Sequence, residues 1–290
     1  WLRLALVLGL VMTGPASANE PTVTVLEFNQ LNGWAEDDHD AAFRAFLETC
    51  PDMRGPDWRS LCALAQHQKS GRAFFELFFR PVLIEDGAAP LFTGYFEPEL
   101  DGSLVPTARF RYPIYRMPPE AQRVSLWLSR REIETTGVMT GRGLEIAWVD
   151  DAVELFFLQV QGSGRLRLPD GTVMRIGYDG QNGRDYASIG RLMRERGLLR
   201  PDEANMQGII SWLRANPEQG RAIMNENKSW VFFRELTGPG PLGALGLPVT
   251  PRATLAADPR FVPLGAPVFL ETNRKEVNGL WIAQDTGGAI

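Results

Sequence analysis

The chain has 290 residues, of which 44% are hydrophobic and 22% charged, as in ordinary globular proteins, so a disordered chain is excluded. Its formal net charge of -5 comes without a basic block, which disfavours nucleic acid as a partner. With two His and two Cys, the sequence has too few ligands for a His- or Cys-rich metal site.

The amino terminus has the features of a secretory signal. Arg3 precedes an apolar run from Leu4 to Met12, and Ala16-Ser17-Ala18 matches a small-residue cleavage site. The run is too short to span a bilayer, and an ordinary buried first helix is the alternative. The pattern predicts a signal peptide over residues 1–18 and export to an oxidising compartment.

The two cysteines lie twelve positions apart, each at the edge of a helical pattern. In an exported protein, a disulfide between Cys50 and Cys62 would close this short loop and stabilise the fold by roughly 3 kcal/mol. Two small buried apolar side chains are the alternative. The spacing favours the disulfide, as a structural link and not as a catalyst.

The section that follows the predicted signal is mainly helical. Residues 19–35 indicate a linker with one exposed strand, and helical periodicity then begins at Asp37, where Asp37 or Asp38 can cap the first helix. Further helices are predicted over 58–68 and 72–79, and Pro81 ends the last one.

From Leu91 the pattern changes to β structure. The alternation over 92–96 is broken at Glu97-Pro98 and again at Asp101-Gly102, and Pro169-Asp170-Gly171 marks a hairpin turn. Helices return over 188–197, from Pro201 and over 206–215. The predicted strands cover 112–115, 145–149, 152–161, 165–168, 172–178, 230–233, 253–256, 267–270 and 280–283. The sequence therefore predicts a mainly β fold with a helical amino-terminal section, an α+β class.

Chemistry is concentrated at the last predicted strand. The apolar run from Leu280 to Ala283 ends at Asp285, and the Gly287-Gly288 pair that follows lets backbone approach a ligand closely. Burial at a strand end could raise the pKa of Asp285 into the range useful for acid–base work. Most acidic side chains are instead solvated and inert, and the other candidates are Glu97, Glu99, Asp101, Asp150, Asp151, Asp179, Asp185 and Asp258.

Two further segments are candidates for ligand contact. Gln161-Gly162-Ser163-Gly164 lacks the spacing of a nucleophile elbow, and both His39 and His67 lie in the amino-terminal helices, so a Ser-His triad is disfavoured. A ligand-contact loop is favoured over catalysis. The segment 177–186 is dense in turn-forming and hydrogen-bonding residues, which suits either recognition of an aminosugar polymer or a long surface turn.

Five motifs occur in the order of one family. The chain resembles the membrane-bound lytic murein transglycosylase A (MltA) family from about Asn32 onward. The motifs are Thr93-Gly94-Tyr95-Phe96, Tyr112-Pro113-Ile114-Tyr115-Arg116-Met117-Pro118-Pro119, Val160-Gln161-Gly162-Ser163-Gly164, Tyr186-Ala187-Ser188-Ile189-Gly190 and Asp285-Thr286-Gly287-Gly288-Ala289-Ile290.

The resemblance implies a double-psi β-barrel main domain built from both ends of the chain, 19–111 and 180–290. A second, smaller β domain would be inserted over 112–179, with a glycan groove between the two. It also implies cleavage of the β-1,4 bond between N-acetylmuramic acid and N-acetylglucosamine in peptidoglycan, without added water, leaving a 1,6-anhydromuramoyl end. One Asp that acts first as acid and then as base can perform this reaction, whereas a hydrolase needs a second carboxylate.

The resemblance also assigns roles to residues. Asp285 matches the first of two family Asp residues and is expected to have a supporting role. The acid/base Asp would follow about eleven positions later, past Ile290, so we expect the printed chain to be inactive or nearly so. Thr93, Tyr95, Gln161 and Ser163 match groove motifs and are expected to contact the glycan. No metal or organic cofactor is implied.

The expected location is the periplasm, and the expected partners are peptidoglycan glycan strands. The missing lipid-attachment Cys near the predicted cleavage point leaves attachment to the outer membrane open, as peripheral association or none. Two other functions stay open: a non-catalytic glycan-binding module on a double-psi barrel, and a conventional glycoside hydrolase.

Overall fold

The computed structural model describes residues 21–85, 87, 92, 94 and 96–287. The predicted signal peptide lies outside the described residues. The described chain begins with strand β1 (Thr22–Val25), which pairs antiparallel with β2 (Val82–Glu85). Three helices lie between these strands: α1 (His39–Thr49), α2 (Pro56–Ala65) and α3 (Gly71–Phe78).

Short polar side chains begin two of these helices. The Asp38 carboxylate accepts a hydrogen bond from the Ala41 N–H at 3.1 Å and caps α1, and the Ser70 hydroxyl caps α3 in the same way. A disulfide joins Cys50 and Cys62, whose Cα atoms lie 5.6 Å apart. It ties the end of α1 to α2 at the position where the sequence predicted a link.

The middle of the chain forms a six-stranded sheet with helices packed around it. Its order is β4-β5-β3-β6-β7-β8, and all neighbours are antiparallel except β3 and β6. The elements are β3 (Glu99–Ser103), β4 (Tyr112–Tyr115), α4 (Pro119–Gln122), α5 (Arg130–Thr135), β5 (Glu145–Val149), α6 (Ala152–Gln161), β6 (Ser163–Arg167), β7 (Val173–Gln181), α7 (Ile189–Glu195), α8 (Met206–Ala215), α9 (Pro217–Met224) and β8 (Val231–Glu235).

This sheet is curled, because its two edge strands approach each other. Residues of β4 lie close to residues of β8, and the Met117 N–H donates to the Asp179 carboxylate at 2.9 Å. The curl encloses a core whose fully buried members include Ile114, Leu166 and Ile176. The sheet therefore has an apolar interior and two ends at which that interior meets solvent.

One predicted strand is a helix, and this prediction was wrong. The run 152–161 forms α6, because the Asp151 carboxylate caps its first turn by accepting from the Val153 and Glu154 N–H groups. Seven of its ten residues are apolar, and neither the period of a helix nor that of a strand stands out. The helix contributes Leu155 and Leu158 to the core of the sheet.

Two strands fall outside the predicted set. β2 follows Pro81 directly, and β3 occupies the stretch that Asp101-Gly102 was expected to break. The reason lies in packing: a Cβ at Gly102 would come within 3.1 Å of the Leu166 Cβ, so the bare backbone of Gly102 lets β3 lie closely against β6.

The last section forms a three-stranded sheet of order β10-β11-β9: β9 (Thr254–Ala256), β10 (Pro267–Leu270) and β11 (Gly279–Asp285). β11 is parallel to β9 and antiparallel to β10. Leu280 and Ile282 pack into one core with Phe46, Phe74 and Phe75 of the amino-terminal helices. The two ends of the chain thus share a core, and the fold is of the α+β class.

Candidate active site

The site is organised around β11, whose course through the core is fixed at both ends. At its start, the Asp37 carboxylate accepts a hydrogen bond from the Leu280 N–H at 2.7 Å. Leu280, Ile282 and Ala283 are buried, and the strand ends at the half-buried Asp285. An apolar strand between two neighbours therefore presents one carboxylate where the core ends.

Gln284 anchors the end of this strand to helix α1. Its side chain is fully buried, and its amide donates to the Thr49 hydroxyl at 2.7 Å and to the Ala45 carbonyl at 3.2 Å. The amide oxygen of Gln284 has no hydrogen-bond partner among the described residues. The pairing of β11 with β9 shifts register between Ala283 and Asp285, so this anchor holds the strand at an irregularity immediately before Asp285.

A glycine-rich loop, residues 240–247, wraps around the same strand end. The Ala244 N–H donates to Oδ1 of Asp285 at 2.8 Å, and the Leu245 N–H donates to the carbonyl of Gln284 at 3.3 Å. A Cβ on Gly243 would come within 2.7 Å of that carbonyl, so only glycine allows so close an approach. The loop and the strand end therefore form one unit.

Burial raises the pKa of the Asp285 carboxyl above its ordinary value, against the opposing effect of hydrogen bonds from the Thr286 and Ala244 N–H groups. No salt bridge joins Asp285 to a cation within the described part of the chain. Both hydrogen bonds fall on Oδ1. A half-buried carboxyl with a raised pKa and no cation beside it is typical of a functional site.

All but one of the other candidate carboxylates have structural partners. Asp101 and Asp150 share Arg109, and Asp151 caps α6. Glu97 and Glu99 pair with arginines of β6 and β7, and Asp258 pairs with Arg260, which lowers the Asp258 pKa. For Asp185 the structure gives no partner that would assign a role. Asp285 is thus the candidate whose surroundings favour chemistry.

The predicted glycan contacts fall in two groups. Thr93 and Tyr95 lie outside the described residues. Gln161 ends α6 and Ser163 begins β6, both are half-buried, and neither side chain forms a hydrogen bond to the described residues. The Arg165 N–H donates to the Pro98 carbonyl at 2.8 Å, so the chain that follows Thr93 and Tyr95 meets the Gln161–Ser163 loop at one end of the sheet.

The polar segment 177–186 is largely committed to the fold. Asn182 is buried, its amide donates to the carbonyls of Leu128 and Lys228, and its oxygen accepts from the Trp230 N–H at 2.8 Å. The Arg184 side chain donates to the Trp127 carbonyl at 2.7 Å. The sequence left open whether this segment recognises a glycan or forms a long turn. The contacts of Asn182 and Arg184 are those of a structured turn.

The part of the chain that the structure describes contains neither a cluster of metal ligands nor a membrane-spanning helix. Among the residues that the structure describes, no group of three or more His, Cys, Asp or Glu side chains could hold a metal ion. Within the same ranges, no helix is both long enough and apolar enough to cross a bilayer.

Two domain models match the chain: the MltA specific insert domain over residues 91–234, and the 3D domain over 253–290. A Vibrio cholerae protein, membrane-bound lytic murein transglycosylase A, is 34% identical over 211 residues, or 69% of this chain and 56% of that protein. The chain thus spans about half the length of the curated relatives that it matches.

Solved structures match more of the chain. The membrane-bound lytic murein transglycosylase of Agrobacterium tumefaciens is 32% identical with a TM-score of 0.79, covering 93% of this chain and 88% of that one. Escherichia coli MltA with bound chitohexaose is 27% identical with a TM-score of 0.63, covering 88% and 81%. The fold and the site at the end of β11 therefore define a protein built from an MltA insert domain and a 3D domain. The chain belongs to the membrane-bound lytic murein transglycosylase A (MltA) family.

Proposed function

We propose that the protein is a peptidoglycan lytic transglycosylase, which cleaves the β-1,4 bond between N-acetylmuramic acid and N-acetylglucosamine. The observation that carries the proposal is the half-buried Asp285 carboxyl with a raised pKa, at the end of β11 and within the matched 3D domain. The curated relatives named as lytic murein transglycosylases and the family member with bound chitohexaose support the same substrate class.

The reaction needs one proton-transfer group. A protonated Asp donates to the departing glycosidic oxygen, the C1–O bond breaks, and the sugar C1 becomes cationic. The ionised Asp then accepts the proton of the C6 hydroxyl while O6 bonds to C1, giving a 1,6-anhydro ring and restoring the acid. The nucleophile belongs to the same sugar, so its high effective concentration favours ring closure over attack by water.

We assign Asp285 a supporting role beside the acid/base Asp that the family resemblance implies. Its Oδ1 is occupied by two backbone N–H groups, so Asp285 is held rigidly and can orient a neighbour or a sugar hydroxyl through Oδ2. Thr93, Tyr95, Gln161 and Ser163 are proposed as glycan contacts. The unused side chains of Gln161 and Ser163 support this assignment for the described pair.

The finer architecture is also a proposal. A double-psi barrel would include β9, β10 and β11 together with the amino-terminal section, since these share one core. The insert, predicted over 112–179, is joined in its sheet by β3 and β8, which lie on either side of that range. A boundary near 91–234, where the insert model matches, therefore accommodates the whole sheet better than the predicted one.

We further propose a periplasmic location, with membrane attachment left open. The Cys50–Cys62 disulfide supports export, because structural disulfides persist in oxidising compartments and are rare in the cytosol. Glycan strands of peptidoglycan are the proposed partners.

Digestion of purified murein sacculi by the natural full-length protein, with products identified by mass, tests the function. Anhydro products, lighter by one water than hydrolytic ones, are expected. Asp285→Asn should slow their release by about 10²-fold, because misplacing a catalytic group by about 1 Å can cost that much. The matched control is Asp258→Asn, which removes an Arg260-paired carboxylate from the same matched domain and should have little effect. Reducing-end products would point to a hydrolase, and binding without release to a glycan-binding module.

A further inference from the structure

A pocket lies on the six-stranded sheet and reaches from the β6–β7 turn to the residue after β4. Its volume is about 640 Å³, within the range of roughly 300–1,000 Å³ usual for small-ligand sites. It is lined by the residue after β3, the residue after β4, the start of β5, the β6–β7 turn and the end of β8. These positions surround the open end of the curled sheet, and barrel mouths are common sites of binding.

The pocket combines an apolar floor with charged residues of both signs. Ile146 and Met174 line it and also pack against the core of the sheet. Arg116 and Arg234 supply positive charge around this floor, and the pocket lining also includes Glu145, Asp179 and Glu235. With both signs present, the lining fits neither a polyanion nor a simple cation.

Four of the charged side chains in this pocket have no partner among the described residues, in contrast to the charged side chains elsewhere on the sheet. Arg165, Arg167 and Arg175 each pair with a glutamate at 97 or 99. By contrast, the side chains of Arg116, Arg234, Glu145 and Glu235 form no salt bridge or hydrogen bond with the residues that the structure describes. Uncommitted donors and acceptors around an apolar surface are the features by which a site recognises a ligand.

We propose that this pocket binds a short peptide carrying a free carboxylate and a free amine, the chemistry of the peptides that branch from peptidoglycan glycan strands. An arginine can bind a carboxylate through two parallel hydrogen bonds, a glutamate binds an ammonium group, and the apolar floor accommodates a methyl side chain such as that of alanine. The peptide identity rests on the proposed function, but the zwitterionic chemistry does not.

The pocket lies within reach of the Gln161–Ser163 loop. Ser163 pairs with Gly177 of β7, and Gly177 pairs with Arg234 of β8, so the pocket residue Arg234 lies two strands from Ser163, about 10 Å at a spacing of about 4.8 Å per strand. A branch peptide of about five residues extends at most about 17 Å, so a glycan held at the Gln161–Ser163 loop could place its peptide in the pocket.

Calorimetric titration tests the proposal with the tripeptide alanyl-glutamyl-lysine, and chitohexaose is titrated in parallel. Saturable tripeptide binding is expected, and Arg116→Gln or Glu145→Gln should each weaken it about tenfold. Arg131→Gln, which removes an exposed arginine of α5 outside the pocket, should change it less than twofold. None of the three changes should alter chitohexaose binding.

Modified tripeptides identify which charge meets which residue. Amidation of the carboxylates should weaken binding to the unaltered protein and abolish the effect of Arg116→Gln, and acetylation of the amines should do the same for Glu145→Gln. If the tripeptide fails to bind while chitohexaose binds, the pocket proposal is overturned and the proposed function stands. If the tripeptide binds and chitohexaose does not, the function fails and the zwitterion site remains. Equal losses in Arg131→Gln would overturn the pocket assignment.

Discussion

Arg130 and Asp285 are both ionisable side chains withdrawn from solvent, and their surroundings differ in the protonation state that they favour. Arg130, at the start of α5, is almost completely buried between the rings of Phe156 and Trp230, at 4.7 and 4.9 Å from the ring centres. Its guanidinium donates to the carbonyls of Asn227 and Ser229 at 3.2 and 2.8 Å. Burial lowers the Arg130 pKa only to about 10, so the charge is retained.

Among the described residues, the Asp285 carboxyl lacks an opposite charge or aromatic faces of the kind that surround Arg130. Within the described chain it meets two backbone N–H groups and no cation, and burial raises its pKa. The two side chains therefore differ in use: Arg130 is surrounded by carbonyls and aromatic faces that stabilise its charged form, whereas burial of Asp285 favours its neutral form. The first use is structural, and the second is typical of a functional site.

Removal of Arg130 should have the largest effect on stability. Arg130→Ala would leave the Asn227 and Ser229 carbonyls without this donor, create a cavity between two rings and remove one of the cations near the Glu134 carboxylate. We expect a loss of about 3–5 kcal/mol in the free energy of unfolding, measured by urea denaturation.

The neighbouring Arg131 is the matched control for this change. It has the same side chain on the same helix but is exposed, so Arg131→Ala should change stability by less than about 0.5 kcal/mol. Equal losses in the two variants would show that the surroundings of Arg130 contribute nothing particular, and the comparison with Asp285 would fail.

Loss of the Gln284 side chain, the anchor next to Asp285, should have the second largest effect on stability. Gln284→Ala removes two buried hydrogen bonds and leaves a cavity beside α1, at a cost of about 2–3 kcal/mol. A double-mutant cycle with Thr49→Val isolates the side-chain pair, for which we expect a coupling of about 0.5–1.5 kcal/mol. Strict additivity of the two changes would contradict the direct contact between these side chains.

Much of the fold could be predicted because its signals are local. The first helix has a capping Asp38, the hairpin between β6 and β7 has a Pro-Asp-Gly turn, and the last strand is a short apolar run. The strand-end position of Asp285 belongs to the same class of local signals. α6 was mispredicted because its run, with seven apolar residues of ten, shows no clear period, and only the Asp151 cap indicated a helix.

The surroundings of the site could not be predicted, because they depend on contacts between distant parts of the chain. Gln284 meets Thr49 across 235 positions, and Ala244 meets Asp285 across 41. Gly243 offered a weak signal, since a loop rich in Gly and Pro suits close backbone approach, but its partner could not be inferred. The pocket on the six-stranded sheet likewise depends on the curl that brings β4 to β8.

The protonation of Asp285 should be visible in the pH dependence of stability. Its folded-state pKa is raised, so the folded protein binds more protons than the unfolded chain from the ordinary Asp value of 3.8 up to the folded value. Stability should therefore fall as pH rises through this window, by about 1.4 kcal/mol for each unit of pKa difference. Asp285→Asn should be more stable than the unaltered protein at pH 7 and equal to it near pH 3.

Asp258→Asn supplies a control of opposite sign for this experiment. Arg260 lowers the Asp258 pKa, so the intact carboxylate stabilises the fold above pH 3.8, and this contribution is lost as pH falls through its folded pKa. Asp258→Asn should therefore reduce stability at neutral pH. If both variants shifted stability in the same direction, the description of Asp285 as a half-buried carboxyl without a cation partner would be contradicted.

The smallest effect is expected where a carboxylate is exposed and fully paired. Arg142 donates to both oxygens of Glu120, at 2.5 and 2.9 Å, which lowers the Glu120 pKa to about 2. The contribution is present above pH 4.5 and is lost as pH falls through about 2. Because both side chains are partly exposed, solvent screening limits it to less than about 1 kcal/mol, so Glu120→Gln should shift urea unfolding only slightly at pH 7. If Glu120→Gln cost as much as Arg130→Ala, burial would not be what separates these charges, and the contrast between Arg130 and Asp285 would need another cause.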